Sequence, residues 1–274
     1  MARPRKQLHS RMAHSTVDRI TVCGLDLSQD ILGKLSLGDF AFLEIQGRVP
    51  SKAESTVFNA MLATLVEHGM TPMAIATRMT YLGAPESLQS AVAAGLCGMG
   101  TTFAGTAEGA AKLLQEGLTS GAEEPDLREV AALIVDQCIN QQQVIPGIGH
   151  PLHKPVDPRT TRLFEIAQEN GLSGRYVRLM QMISQQAELA YNKPGALPVN
   201  ATGALAALAC ELQIPWQLCR GLAVIGRAIG LVGHIAEEIR NPLAKEIWLR
   251  ADEEVSSNYS STLAAQVAKD QAVR

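Results

Sequence analysis

Aromatic side chains are scarce, with 5 Phe, 2 Trp and 4 Tyr making up 4% of 274 residues. That excludes a platform of stacked rings for single-stranded nucleic acid. An excess of one charge is also missing: 24 Lys and Arg face 27 Asp and Glu, a net charge of −3, so no nucleic-acid-steering field is expected. The five cysteines, Cys23, Cys97, Cys138, Cys210 and Cys219, include no Cys-x-x-Cys pair. Scattered thiols of this kind read as reduced and buried in a cytoplasmic protein, and they support no metal site. No apolar core follows Arg3, Arg5, Lys6 and Arg11, which argues for a flexible or partner-covering arm rather than a signal peptide. The one long apolar run, residues 213–236, contains Arg220, Arg227 and His234, which weighs against a membrane span. Internal repeats and low-complexity segments are absent, and strand-like character is confined to Arg19–Val22.

Helical signals are plentiful. Hydrophobic residues reach 46% against 19% charged ones, enough for one large domain or a main domain with a smaller cap. Pro50-Ser51-Lys52-Ala53-Glu54 opens as a capping box for a helix to about His68, and Pro72 starts a short one through Arg78. Another begins at Pro85-Glu86 with Leu88, Val92 and Leu96 on one face, and a further one follows Gly105 through Leu114. Residues 125–141 carry Leu127, Val130, Leu133, Ile134 and Cys138 at helical spacing. Residues 158–170, 174–192 (Tyr176, Leu179, Met182 and Ile183 on one side), 198–212 and 215–240 complete the pattern. A tail from Asp252, broken at Ser256-Ser257-Asn258, is expected to form a loosely held helix. The fold class is mainly α. Arg220, Arg227 and His234 recur every seven residues and share one helical stripe, because an α-helix drifts only about 20° per heptad. Arg220 and His234 are expected to pair with buried acids or helix-end carbonyls, since unpaired burial is costly.

The densest chemistry lies in Pro146-Gly147-Ile148-Gly149-His150-Pro151-Leu152-His153-Lys154-Pro155-Val156-Asp157-Pro158-Arg159. Its glycines let a ligand approach the backbone and can aim N–H groups at anionic oxygens. An imidazole transfers a proton near neutral pH, and Lys154 and Arg159 can hold phosphate or carboxylate.

This string resembles the PGxGH…DPR motif of the citrate synthase superfamily. The resemblance extends over residues 20–240: Gly24-Leu25-Asp26-Leu27 and Phe42-Leu43-Glu44-Ile45-Gln46-Gly47-Arg48-Val49-Pro50 look like an early family passage. Glu67-His68-Gly69-Met70 is similar to the family's Asp-His-Gly segment, and Gly226-Arg227-Ala228-Ile229-Gly230 to its carboxylate-gripping arginine. In length the chain looks like the short citryl-CoA lyase branch. The resemblance implies a helical large domain with a small helical domain: residues 20–145 and the return helix 213–250 in the large domain, 146–212 as motif and small domain, and 1–19 and 251–274 as terminal arms. It implies a homodimer acting on acyl-CoA and dicarboxylate ligands, with a coenzyme A thioester as substrate and no metal or prosthetic group, nucleic acid or membrane partner.

Residue by residue, the resemblance implies that His150 bonds the oxygen at the carbon being made or broken and that His68 positions the same dicarboxylate portion. Arg159 and Arg227 would clamp its carboxylates, and Pro146, Gly147, Ile148, Gly149 and Lys154 would meet the CoA moiety. Two positions depart from synthases. Phe103, in Gly100-Thr101-Thr102-Phe103-Ala104-Gly105, stands where synthases have a histidine, a change that points toward lyases. Asn200 is aligned with the aspartate base of the family's Asn-Val-Asp segment, and an amide takes up no proton at neutral pH. Glu67 or Glu108 would have to replace it. The leading expectation is a carbon–carbon lyase acting on a citryl-CoA-like substrate, with His150 accepting the hydroxyl proton. The alternatives are a silent CoA-ester-binding protein and a condensing enzyme using another acyl-CoA.

Overall fold

The computed structural model describes residues 10–119, 125–150 and 153–272. Arg3, Arg5 and Lys6 of the expected arm, with Pro151 and Leu152 of the motif, lie outside the described residues. In chain order the strands are β1 (Ala13–Ser15), β2 (Ile20–Val22) and β3 (Leu25–Asp26). The helices are α1 (Leu37–Gln46), α2 (Lys52–Val66), α3 (Pro72–Gly83), α4 (Leu88–Cys97), α5 (Gly105–Thr119) and α6 (Leu127–Asn140). They continue with α7 (Pro158–Glu169), α8 (Arg175–Ala190), α9 (Ala201–Glu211), α10 (Cys219–Arg240) and α11 (Ala244–Ala272). The protein is therefore mainly α. Its chain divides into two compact units, one holding the residues up to Leu65 and Thr101–Ala223, the other Val66–Gly100 and the residues from Val224.

In the first unit the strands form an antiparallel meander, β1 beside β2 and β2 beside β3. The expected strand at Arg19–Val22 is β2, while β1, β3 and α1 were not foreseen. Val22, Ile31 and Leu43 form a small core there. The capping box at Ser51 is formed as the sequence implies: Glu54 N–H donates to Ser51 Oγ (3.3 Å) and Ser51 N–H to Glu54 Oε2 (2.8 Å). The centre of the unit is α9, packed against α5, α7 and α8. Its sequence, ATGALAALACE, buries Ala201 and every residue from Gly203 to Cys210. Small side chains let neighbouring helices close in on all sides. Leu205 and Leu208, 4% and 0% exposed, contribute about 1.5–3 kcal/mol each by burial.

In the second unit α3 packs on α4 and on α11. A Cβ at Gly95 would stand 2.1 Å from Thr77 Oγ1, so α4 approaches α3 through a position that only glycine fills.

Several helix faces differ from the periodic reading. On α4 the buried residues are Ala91 and Gly95 rather than Leu88, which is 42% exposed. On α6 Leu133 points outward, and on α8 the core side is Val177, Leu179, Met180 and Ile183. The tail is one unbroken helix through Ser256-Ser257-Asn258. Interior Ser and Asn cost a helix only a fraction of a kcal/mol, under about 0.7, and Ser257 Oγ turns back to bond Glu253 O at 2.8 Å.

Candidate active site

The first unit carries the motif. Gly147 and Gly149 adopt φ +91° and +75°, the left-handed region that favours glycine. Gly147 lies so close to α9 that a Cβ on Gly203 would stand 2.1 Å from Gly147 O. Asn200 N–H donates to Gly147 O at 3.0 Å, and Gly149 N–H to Pro198 O at 2.7 Å. The glycines thus seat the turn on α9, and the Gly149 N–H is committed to protein rather than aimed at an anion.

Asn200 caps α9. Its Oδ1 accepts from Thr202 N–H (3.0 Å), Thr202 Oγ1 (2.7 Å) and Gly203 N–H (3.1 Å), while Nδ2 donates to Gly149 O (2.8 Å). Three bonds fill the oxygen; one Nδ2 hydrogen is left for a ligand. Capping is the task of an asparagine that opens a helix, so Asn200 matches the first residue of the Asn-Val-Asp pattern and Thr202 the third. Neither is an acid, and the missing carboxylate holds in both registers.

His150 Nδ1 accepts the His153 N–H at 3.0 Å, and the two imidazole rings lie 4.4 Å apart. A neutral ring accepting at Nδ1 carries its hydrogen on Nε2. Arg159 Nη2 lies 3.5 Å from that Nε2, at the outer limit of a hydrogen bond, so the 3.0 Å backbone contact sets the tautomer. In this tautomer the Nε2 edge presents a hydrogen beside the guanidinium.

Arg159 is held by Asp157, a residue with no exposed surface. Asp157 Oδ1 accepts from Arg159 N–H and Nε, both at 3.0 Å, and Oδ2 from Arg159 Nη2 at 2.8 Å and Ala201 N–H at 3.1 Å. Burial pushes this carboxyl up, but the bonds from Arg159, its charge and the Ala201 N–H outweigh that and hold it below the usual range. One carboxylate therefore fixes the motif's arginine and joins the N-termini of α7 and α9. Arg159 keeps Nη1 outside this pair. Lys154 is exposed, and Phe103 stands 49% exposed in the turn before α5. Arg220 pairs with Glu108, Nε to Oε2 at 2.7 Å, as the stripe argument expects, so Glu108 is no free base.

His68 and Arg227 belong to the second unit. There Arg78, with no exposed surface, donates to His234 Nδ1 from Nε (3.2 Å) and Nη2 (3.0 Å), to Glu238 Oε2 from Nη1 (2.6 Å), and to Glu237. His234 Nε2 meets Glu67 Oε2 at 3.2 Å. Glu67 Oε1 also accepts the N–H groups of His68 (2.7 Å) and Gly69 (2.6 Å). Burial raises the Glu67 carboxyl, but these bonds and the His234 contact bring it below its usual range, so it too is a poor base. Arg227 is 7% exposed, its Nη1 has no hydrogen-bond partner, and Glu67 Oε1 is 4.0 Å away. His234 meets an acid, as its place on the stripe implies, whereas the hold of Asp157 on Arg159 and of His234 on Glu67 beside Arg227 has no counterpart in the sequence pattern. The Asp-Pro start of α7 was the one local signal, marking Asp157 as an N-cap.

The family model for the citrate synthase C-terminal domain matches residues 14–248; the chain belongs to the citrate synthase family. Its structure is similar to that of citryl-CoA lyase from Hydrogenobacter thermophilus, at 31% identity and a TM-score of 0.78 over 86% of this chain and 88% of that one. It also shares the fold of ATP citrate lyase from Methanothrix soehngenii, solved with citrate and coenzyme A: 22% identity and a TM-score of 0.72 over 87% of this chain and 40% of that one. Among sequences, the probable ATP-citrate synthase subunit 1 of Schizosaccharomyces pombe is 26% identical over 230 residues, 77% of this chain and 35% of the relative. The chain spans about a third of the curated relatives it matches.

Proposed function

We propose that this enzyme of the citrate synthase family cleaves a citryl-CoA-like thioester to acetyl-CoA and a 2-oxo acid such as oxaloacetate. The observation that carries the reading is the pair formed by the His150 Nε2 edge and Arg159 Nη2, 3.5 Å apart and fixed by Asp157. Donors and positive charge placed where an alkoxide develops stabilise that charge without reorganisation. As the substrate hydroxyl loses its proton to solvent, Nε2–H and the guanidinium face the resulting oxyanion. The carbon–carbon bond to the thioester's α-carbon breaks, its electron pair enters the enolate of acetyl-CoA, and a carbonyl forms at the former hydroxyl carbon. Water returns a proton to the enolate carbon. This route uses His150 as a donor, a role that the His153 N–H contact at Nδ1 supports, and needs no carboxylate at position 200 or 202.

The CoA portion is assigned to Pro146, Gly147, Ile148, Gly149 and Lys154. Of these, Ile148 lines a cavity of about 440 Å³ with Ile139, Val144, Ile145, Leu197, Gln142 and Lys193, a largely apolar hollow with a cation at its wall. His68 and Arg227 are assigned to the dicarboxylate portion, on the strength of the unpartnered Arg227 Nη1. The same reading takes the working form as a cytoplasmic homodimer.

Incubation with citryl-CoA followed by mass spectrometry tests the reaction. Acetyl-CoA and oxaloacetate should appear with wild type and vanish with His150→Ala, which should still bind CoA. The lack of an acid at 200 and 202 favours one other reading, a CoA-ester-binding protein without turnover. Tight binding of citryl-CoA that is recovered intact would establish that reading instead.

A further inference from the structure

Arg227 and Glu67 stand in an unusual relation. A carboxylate beside a buried guanidinium normally closes to about 2.7–2.9 Å in a charge-assisted pair. Here Glu67 Oε1 stops at 4.0 Å, and Arg227 Nη1 is left buried without a partner. An unpaired buried charge is costly, so something must hold Glu67 back. The holders are His68 N–H, Gly69 N–H and His234 Nε2. The backbone donors come from the turn that Glu67 itself opens; His234 reaches it from 167 residues away.

His234 can donate to Glu67 because of Arg78. An arginine has donors and no acceptor, and two of its nitrogens meet His234 Nδ1 at 3.2 and 3.0 Å. Nδ1 is therefore bare and Nε2 carries the hydrogen. Arg78 is anchored in turn by Glu237 and by Glu238, whose Oε1 accepts Leu243 N–H (2.9 Å) and Ala244 N–H (2.8 Å) at the start of α11. A relay of fixed polarity thus runs from the α11 N-terminus through Glu238, Arg78 and His234 to Glu67.

We propose that His234 is a positioning residue that holds Glu67 on the 67–69 turn and away from Arg227, keeping the Arg227 guanidinium open to a ligand carboxylate. The inference rests on the dicarboxylate reading of the second unit given above. Without His234, Glu67 loses a donor while the bare guanidinium remains beside it, and the two close into an internal pair that occupies the anion's place.

Calorimetric titration with citrate reads the effect. His234→Leu should weaken citrate binding by about tenfold or more, the loss of a hydrogen bond to a charged group. His234→Gln, whose amide can accept from Arg78 and donate to Glu67, should remain near wild type. Adding Glu67→Gln to the Leu variant removes the competing charge while keeping an oxygen for the His68 and Gly69 N–H groups, and should restore most of the lost affinity. A Leu variant that binds citrate as wild type does overturns the proposal, as does a double variant as weak as the Leu variant. Imidazole nitrogen NMR on ligand-free wild type separates the two readings. A proton found on His234 Nδ1 overturns the relay, whereas wild type with a bare Nδ1 that ignores citrate overturns the dicarboxylate reading on which the proposal depends.

Discussion

Asp157 receives four hydrogen bonds with none of its surface in water, and that number sets what its replacement does. Asp157→Asn keeps a cap for α7 but loses the charge-assisted pair with Arg159, about 2 kcal/mol near neutral pH. The folded carboxyl titrates below its ordinary value of 3.8, so its stabilisation is complete above that value and is lost as pH falls through the lower, folded one. Urea midpoints should separate wild type from the variant at neutral pH, and the gap should narrow as the medium is acidified past the carboxylate range. A second pair of substitutions decides the register of the α9 cap. Thr202→Asp should raise exchange of acetyl-CoA methyl protons with solvent deuterium, measured by NMR. Asn200→Asp should not, because it sets a carboxylate against the Gly149 carbonyl that now accepts from Nδ2. The thiols make a third case: burial pushes Cys219 up to about 12 and Cys210 higher still. An aromatic disulfide reagent should label exposed Cys97 in native protein and reach Cys138, Cys210 and Cys219 only after denaturation.

At the scale of elements, α9 is held by its smallest residues. Gly203→Ala would drive a methyl group into Gly147 O, and overpacking of this kind costs about 1–3 kcal/mol. The expected result is a lowered melting temperature together with loss of the citryl-CoA turnover proposed above, because the displaced atom belongs to the turn bearing His150. Local chemistry made much of the fold readable. The Ser51–Glu54 box, Pro72 and Pro158 at helix starts, and the apolar spacing of α6 and α8 all announce themselves within a few residues. The buried faces were harder to read, since Ala91 and Gly95 bury against α3 where the larger Leu88 does not; size is a poor guide where close approach is what packs. The candidate site was legible as a set of residue types at the motif's spacing. Its wiring was not: Asp157 reaches Ala201 across 44 residues and His234 reaches Glu67 across 167. The tautomer assigned to His150 follows from the His153 N–H, a backbone group that no side-chain pattern reveals.

Across the whole molecule the candidate residues fall into two sets. His150, Arg159 and Asn200 lie in the first unit, while His68 and Arg227 lie in the second. Each set has its own acid, Asp157 in one and Glu67 in the other, and each acid is held ionised by donors around it. The homodimer proposed above predicts a sedimentation coefficient for twice the 29.3 kDa chain mass, unchanged on dilution through the micromolar range; a monomer there would remove it. The contact of Gly147 with Gly203 reaches beyond geometry, into how the protein fails when heated. A catalytic turn on a loosely attached loop inactivates gradually, degrees before its scaffold melts. Here the turn shares its backbone bonds with Pro198 and with Asn200, the cap of the most buried helix of its unit, so it should soften only when that helix does. Loss of turnover on heating should trace the same sigmoid as loss of helical ellipticity from that unit, and remaining activity would then count the molecules still folded.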